Sequence, residues 1–234
     1  MVLNVPLTPR LDSSAPSCLF SNLMVRAASR MQTLLLGTRN PGKVREIESI
    51  LADSGWSFTS LQSFPGVDTP AESGATYVDN AILKARFYAV ATGMCALADD
   101  SGLEVEALAG APGVLSARYA GENASDADRR ALLLSQIAKI PNINRRARFV
   151  SVVAISDARG SVLNVSEGLC EGTIIFSPRG NGGFGYDPLF VPDGYNQTFA
   201  ELSEDIKNRI SHRARALRNT RDFLSQLDHL QPDS

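Results

Sequence analysis

Apolar residues follow two alternating patterns along this chain, and each pattern predicts a different element. Short continuous apolar runs are typical of buried strands, whereas apolar residues spaced three and four positions apart are typical of helices that cover a sheet. The predicted strands are 33–38, 56–61, 94–98, 149–156 and 162–175, and the predicted helices are 41–54, 75–92, 125–138 and a long helix that begins after Ser203. Strands and helices that alternate in this way predict an α/β fold. The hairpin 149–175 is expected to build a second lobe, and residues 103–108 form either a half-exposed strand or a short helix.

The third predicted strand ends in two carboxylates, a hydroxyl group and a glycine, which are Asp99, Asp100, Ser101 and Gly102. Side chains alternate across a strand, so Asp99 and Asp100 should point to opposite faces of the sheet. One of them can then reach a metal ion or a water molecule while the other holds a neighbouring group. Adjacent acids repel each other unless a cation compensates, and a strand needs no such pair in order to fold. We therefore expect a functional cleft here, and a plain strand-ending turn is the alternative.

The segment Gly37–Lys43 joins the first strand to the first helix and formally fits the G-x-x-x-x-G-K pattern of P-loop NTPases. Two residues are inconsistent with that motif, because Val44 lacks the hydroxyl group that would bind magnesium and Pro41 lacks a backbone N–H. Asn40 and Pro41 instead predict a capped helix N-terminus. Such a terminus, with Lys43 beside it, is a competent anion site. A merely capped helix is the alternative.

Three later segments carry polar groups that can face the same cleft. Lys84 follows Asn80 by four positions on one side of the second helix. The glycine-dense segment 180–188 contains Phe184, Tyr186 and Asp187, and the last helix carries Lys207, His212 and Arg213 near its start. Each feature also has a plainer interpretation, namely a solvent-facing lysine, a flexible loop and the polar face of a surface helix.

Composition excludes several classes of protein. The chain has 234 residues, 44% of them hydrophobic and 21% charged, which is typical of a globular domain. A net charge of -2 gives no basic footprint of the kind that nucleic-acid partners require. Three cysteines and two histidines lie far apart, which excludes zinc-type spacing and favours a reducing, cytoplasmic location. No apolar run approaches the roughly 18 residues of a membrane span, so we expect no membrane partner.

Residues 1–30 lack a sustained hydrophobic period and precede the first strand, so we expect a disordered N-terminal extension. The alternatives are a targeting peptide, which Leu19–Val25 with Arg26 and Arg30 only weakly resembles, and an upstream start codon with Met31 as the working initiator. Residues 31–234 are then expected to form a single domain.

Several motifs, taken together and in this order, resemble one known family. They are Thr38–Lys43, Glu72, Asn80–Arg86, Ala98–Leu103, Gly110–Gly113, Ser116–Tyr119, Gly182–Pro188 and Ser211–Arg213. With them the chain resembles the non-canonical purine nucleoside triphosphate pyrophosphatases, the inosine triphosphatase family, over residues 31–227. The resemblance implies a two-lobed α/β/α fold with a central mixed sheet and a cleft between the lobes. It also implies a homodimer that hydrolyses ITP, dITP and XTP to the monophosphate and pyrophosphate with Mg²⁺.

Roles follow from the resemblance, position by position. It implies Asp100 as catalytic base and metal ligand, Glu72 as a second metal ligand, and Asp99 as a further candidate at the metal. The substrate contacts that it implies are Thr38, Arg39, Asn40, Pro41, Gly42, Lys43, Lys84, Ser101, Phe184, Gly185, Tyr186, Asp187, Lys207, His212 and Arg213. Arg39 stands where relatives often have a small residue, so its own role stays open.

Physical chemistry favours the same assignment. Arg213 can only donate hydrogen bonds, which suits the O6 acceptor of hypoxanthine or xanthine and mismatches the exocyclic amine of adenine. Two other interpretations of the function remain open. A true P-loop ATPase or GTPase would release orthophosphate rather than pyrophosphate, and a nucleotide-sensing or RNA-binding module would bind without turnover and without magnesium.

Overall fold

The structure, a computed structural model, describes residues 32–141 and 144–230, with side chains as far as residue 227. The expected extension, residues 1–30, lies outside the described residues. The strands are β1 (Thr33–Leu36), β2 (Ser57–Ser60), β3 (Ala96–Val105), β4 (Arg146–Ser156), β5 (Val162–Ile174) and β6 (Phe190–Pro192). They form a mixed sheet in the order β2-β1-β3-β4-β5-β6, in which β2, β1 and β3 are parallel and the later pairs are antiparallel.

The structure describes five α-helices, and the first three lie close to the predicted positions. They are α1 (Pro41–Ile50), α2 (Tyr77–Thr92), α3 (Asp126–Ile137), α4 (Glu204–Ile210) and α5 (His212–Leu230). Thr76 and Ser125 each form a capping box, and Gly93 ends α2 with a φ of 67° that favours glycine. Among the described helices, none is both long and apolar enough to cross a membrane.

Helices cover both faces of the first half of the sheet. Leu34 and Leu36 pack against α1 and α5, whereas Leu35, between them, packs against α2. The second half has an apolar core of its own, in which Phe149 and Leu103 pack with Leu133 of α3 and with Phe190. The predicted two-lobed α/β fold with a mixed sheet is therefore confirmed.

The structure corrects the predicted length of the third strand. β3 does not end at the two carboxylates, because it continues to Val105, and β4 pairs with it over its whole length. β1, in contrast, pairs with β3 only at Ala96 and Leu97. Asp99 and Asp100 thus lie just beyond the point where the parallel neighbour ends, which leaves an opening at that edge. Residues 103–108 satisfy both predicted alternatives, since the strand ends at Val105 and a 3₁₀ turn spans Glu106–Leu108.

The long C-terminal helix is also corrected. It is broken at Ser211, whose extended backbone (φ −67°, ψ 160°) separates α4 from α5. The Ser211 hydroxyl group then accepts a hydrogen bond from the Ala214 N–H at 3.2 Å and so caps α5. Because of the break, His212 and Arg213 begin a new helix directly beside the opening.

The hairpin of β4 and β5 contributes to the core of the second lobe, as predicted, and it continues the sheet of the first strands. β4 is hydrogen bonded to β3 from Val105 back to Ala96, so the sheet is continuous through both halves of the fold. The lobes differ in the cores that cover this sheet.

Candidate active site

The loop after β1 is organised by the side chain of Asn40. Its Oδ1 accepts hydrogen bonds from the backbone N–H groups of Gly42 at 2.8 Å and Lys43 at 3.2 Å, which caps α1 as predicted. The Asn40 N–H donates in turn to Thr38 Oγ1 at 3.2 Å. Arg39 points away from the helix and donates to the carbonyl of Val67 at 2.5 Å. The turn is therefore stabilised by its own side chains, with Lys43 projecting from it.

The two adjacent carboxylates point to opposite faces of the sheet, as strand geometry predicts. Asp99 Oδ2 lies 3.0 Å from Lys43 Nζ and 3.1 Å from both Arg213 Nε and Nη2. Asp100 Oδ1 lies 2.7 Å from Lys84 Nζ of α2. Burial lowers the pKa of Lys43 although Asp99 opposes that shift, and the charges of Lys84 and Asp100 across the open edge also act on it.

On the Asp99 side, six buried or half-buried side chains alternate in sign. They are Lys43, Asp99, Arg213, Glu46, Lys207 and Asp187, and we call them the ion-pair chain. Glu46 connects the two halves of this chain of charges, because one of its oxygens lies 2.7 Å from Lys207 Nζ and the other accepts from Arg213. Lys207 Nζ also lies 2.5 Å from Asp187.

The electrostatics favour the charged form of two carboxylates in the ion-pair chain, Asp99 and Glu46. Burial alone would raise the pKa of Asp99, but Lys43 and Arg213 outweigh burial and hold that pKa far below its usual range. The pKa of Glu46 is lowered in the same way, since Arg213 and Lys207 outweigh its burial. These carboxylates are therefore ionised at neutral pH.

On the Asp100 side, a second cluster contains Arg118, Glu72, Lys84 and Asp100, and we call it the Lys84 cluster. Lys84 Nζ is 2.7 Å from Glu72 Oε1 and equally far from Asp100 Oδ1, and Arg118 Nη1 is 2.9 Å from the other oxygen of Glu72. Burial raises the pKa of Asp100 although Lys84 opposes that shift. A carboxylate with a raised pKa beside a cleft is a candidate general base.

Asn80 fixes the second oxygen of Asp100. Its Oδ1 accepts from the Gly74 N–H at 2.8 Å, so its Nδ2 faces Asp100 Oδ2 and donates to it at 3.3 Å. Asn80 and Lys84 share one side of α2, as their spacing of four predicts, and both side chains are buried. One stripe of α2 therefore contacts both carboxylate oxygens of Asp100.

An aromatic pocket adjoins the ion-pair chain. The Phe184 ring lies 4.7 Å from Lys207 Nζ and 5.6 Å from the Arg213 guanidinium carbon, measured to the ring centroid. His212 stacks on Phe149 with ring centroids 4.6 Å apart and an interplanar angle of 11°. Burial, followed by the charge of Arg213, lowers the pKa of His212 well below its ordinary value, so the imidazole is neutral at pH 7. Tyr186 instead turns its hydroxyl group inward, where it donates to the carbonyl of Ser116 at 3.1 Å.

The structure brings most of the predicted substrate contacts to one cleft. Those that line it are Asn40, Lys43, Ser101, Phe184, Gly185, Tyr186, Asp187, Lys207, His212 and Arg213. Lys84, Glu72 and Asp100 lie around the neighbouring edge of β3. The sequence analysis did not name Glu46, Phe149, Asp126 or Arg129 as site residues, and it gave Ser116 only as part of a family motif. No local motif marks Glu46, although its place one turn after Lys43 puts both side chains on one side of α1.

The donor set at Asp100 and Glu72 suits a magnesium ion. Because Lys84 Nζ touches an oxygen of each carboxylate, those two oxygens are at most twice 2.7 Å apart. Magnesium commonly binds one or two carboxylates together with substrate phosphates. Among the described residues there is no group of three or more His, Cys, Asp or Glu side chains that could hold a metal. A metal ion held by only two carboxylates would have coordination positions left for phosphate oxygens. This pair is therefore consistent with a metal that binds together with a substrate.

Together, the mixed sheet, the capped helix and the clustered charges define an α/β protein whose cleft, lined by paired cations and carboxylates, adjoins an aromatic pocket. The model of the Ham1 family matches residues 34–223. The chain belongs to the Ham1 family.

Named relatives agree with this assignment. A dITP/XTP pyrophosphatase of Desulforamulus reducens is 50% identical over 194 residues, which cover 83% of this chain and 96% of the relative. A dITP/XTP pyrophosphatase of Thermus thermophilus is 49% identical, over 81% of this chain and 90% of the relative. The HAM1 protein of Coxiella burnetii, a solved structure, has a TM-score of 0.76 at 41% identity and covers 84% of this chain and all of its own. The resemblance to the inosine triphosphatase family is thereby confirmed.

Proposed function

We propose that this protein is a nucleoside triphosphate pyrophosphatase that hydrolyses ITP, dITP and XTP to the monophosphate and pyrophosphate, with Mg²⁺, and so removes these nucleotides from the cellular pool. The observation that carries the proposal is the position of Asp100. Its two oxygens are held by Lys84 and Asn80, and it lies beside Glu72 at the open edge that Lys43 also faces.

In the proposed reaction, a water oxygen forms a bond to the α-phosphorus while the bond from that phosphorus to the bridging oxygen of the β-phosphate breaks. The water proton passes to Asp100, and pyrophosphate leaves with the bridging oxygen. The ammonium group of Lys43 binds phosphate oxygens, and Lys84 orients the carboxylate of Asp100. Asp100 and Glu72 would hold a magnesium ion, which would compensate part of the phosphate charge when bound.

Base recognition in this proposal depends on Arg213. Its Nε and Nη2 donate to Asp99, Nη2 also donates to Ser101, and Nη1 donates to Glu46. A guanidinium group has five N–H donors, so one N–H on Nη1 remains for the O6 acceptor of hypoxanthine or xanthine. Adenine presents an amino group at that position and leaves the donor without a partner, which a closed polar site penalises strongly.

One assay separates the proposal from its rivals. Pyrophosphate and orthophosphate release are measured from ITP, dITP, XTP, GTP and ATP, each with and without magnesium. We expect pyrophosphate, a clear preference for ITP, dITP and XTP over ATP, and dependence on magnesium. Release of orthophosphate would support the P-loop interpretation instead, and nucleotide binding without turnover would support a sensing module.

The proposal also includes a homodimer in the cytoplasm. Neither nucleic acid nor a membrane is expected as a partner. Size-exclusion chromatography with light scattering measures the mass of the full chain in solution. We expect a value near twice 25.1 kDa. A monomeric mass in a fully active sample would remove the dimer from the proposal.

A further inference from the structure

The backbone of Gly185, in the middle of the aromatic segment, is bonded on both sides to helix α3. Its N–H donates to Asp126 Oδ2 at 2.7 Å, and its carbonyl accepts from Arg130 Nη1 at 2.6 Å. The two helix residues are separated from Gly185 by 59 and 55 positions in the chain. A single peptide segment is thus held by an anion and a cation from one helix.

The α3 side of this contact is itself held in place. Asp126 is the first residue of the helix, and its other oxygen accepts from Arg129. Arg129 also donates to the carbonyls of Ala117 at 2.6 Å and Ala124 at 2.9 Å. Because Arg129 ties Asp126 to the neighbouring loop, the carboxylate offers Gly185 a fixed acceptor rather than a mobile one.

The loop side of the contact needs that support. Gly185 has a φ of 59°, a conformation that costs a residue with a side chain and that glycine adopts freely. It lies between Phe184, whose ring faces Lys207 and Arg213, and Tyr186, whose hydroxyl group is bonded to Ser116. On the Phe184 side, the backbone N–H donates to Asp187 Oδ2 at 2.9 Å. The hydrogen bonds of Gly185 and of the Phe184 N–H therefore hold the backbone on both sides of the Phe184 ring.

We propose that Asp126 and Arg130 are positioning residues that hold the Phe184–Asp187 segment in the conformation that receives a purine ring. This inference rests on the proposed function for the identity of the ligand. The two hydrogen bonds from Asp126 and Arg130 to Gly185 are present whatever that ligand is. The two side chains act through the backbone of Gly185, so their removal should weaken base binding more than it slows the chemical step. The contacts of Asp126 with Gly185 and with Arg129 also explain why two side chains of α3, Asp126 and Arg129, line the cleft.

The decisive comparison is Asp126→Ala with Asp126→Asn. The asparagine keeps an acceptor for the Gly185 N–H, whereas the alanine leaves that N–H without a partner. The first measurement is amide hydrogen exchange at Gly185 in the full chain without nucleotide. We expect exchange roughly tenfold faster in Asp126→Ala, the size set by a lost charge-assisted hydrogen bond, and a rate near the wild-type value in Asp126→Asn.

The second measurement is the steady-state kinetics of ITP hydrolysis. In Asp126→Ala we expect KM to rise roughly tenfold while kcat stays within about twofold, and we expect Asp126→Asn to recover most of the KM. Arg130→Gln tests the carbonyl side and should raise KM in the same direction. Arg148→Gln removes an exposed arginine that pairs with Glu104 on the sheet surface, and it serves as a control with unchanged KM.

The results distinguish a failure of this positioning role from a failure of the proposed function. Equal exchange at Gly185 in the alanine variant and the wild type would overturn the proposal, and so would a fall in kcat at unchanged KM. If Asp126→Ala fails to fold, the asparagine variant and Arg130→Gln decide the same question. If the wild-type chain releases no pyrophosphate from ITP, the proposed function fails. The exchange rates at Gly185 still test whether the side chain of Asp126 holds this segment.

Discussion

Replacing Asp99 by asparagine tests whether this carboxylate anchors the two cations beside it. The side chain is 1% exposed and its Oδ2 accepts from Lys43, from Arg213 and, at 3.2 Å, from Ser101. Asp99→Asn keeps the shape of the side chain and removes its charge. Lys43 and Arg213 would then face a neutral amide inside the protein.

The expected loss of stability follows from that burial. Removing one partner of a buried ion pair costs about 3–5 kcal/mol, since the remaining charge is left without compensation. For a domain of this size, each kcal/mol corresponds to a shift of about 2–4 °C in Tm, so a fall of roughly 6–20 °C is expected. The exposed pair between Arg148 and Glu104, with side chains 46% and 23% exposed, gives the contrast. Glu104→Gln should cost less than about 1 kcal/mol.

Urea denaturation of both variants, without nucleotide or metal, measures the two free energies of unfolding. A loss below about 1 kcal/mol in Asp99→Asn would refute the anchoring role. A second measurement addresses the metal. Because Asp99 faces away from Glu72 and Asp100, the magnesium concentration that gives half-maximal activity should not change in Asp99→Asn. A large increase in that concentration would instead place Asp99 among the metal ligands.

Three further predictions concern catalysis, base selection and acid stability. Asp100→Asn should lower kcat by at least about 100-fold, the usual contribution of a general base, while circular dichroism shows a folded protein. Near-normal turnover by this variant would show that Asp100 is not the general base. Arg213→Ala should narrow the ratio of kcat/KM for ITP to that for ATP by roughly 1–3 kcal/mol, whereas Phe184→Ala should weaken both substrates together. An unchanged ratio in Arg213→Ala would exclude that residue from base selection. The lowered pKa of Glu46 means that its stabilisation is complete above its ordinary pKa of 4.5 and is lost as the pH falls through the folded-state value. Unfolding free energy should therefore fall less steeply below about pH 5 in Glu46→Gln than in the wild type, and equal slopes would contradict the pairing.

Features that depend on neighbouring residues in the chain could be predicted from the sequence. The Asn40 cap requires only a side-chain oxygen two and three positions before free N–H groups. The spacing of Asn80 and Lys84 places both on one stripe of α2, and alternation along β3 places Asp99 and Asp100 on opposite faces. In each case the periodicity of a single element is sufficient.

Features that depend on distant segments could not be predicted in that way. The sequence predicts Glu46 as a charged residue on a helix surface, yet its side chain is only 12% exposed, because Lys207 and Arg213, more than 150 positions later, compensate its charge. The break at Ser211 has no proline or glycine to mark it. α5 packs so closely on β5 that a Cβ at Gly168 would lie 2.2 Å from the carbonyl oxygen of His212. The direction of α5 is thus set by the sheet and not by the sequence around Ser211.

Charge balance in the two clusters bears on how a triphosphate can bind. The ion-pair chain contains three cations and three carboxylates, and the Lys84 cluster contains two of each, so neither has a net charge. Arg39, which donates to the Val67 carbonyl, adds one positive charge beside the loop. A triphosphate brings several negative charges and would lie close to the carboxylates of Asp100 and Glu72. Because the described side chains leave so little net positive charge, the substrate is expected to arrive with a divalent cation, whose ligands those two carboxylates would complete.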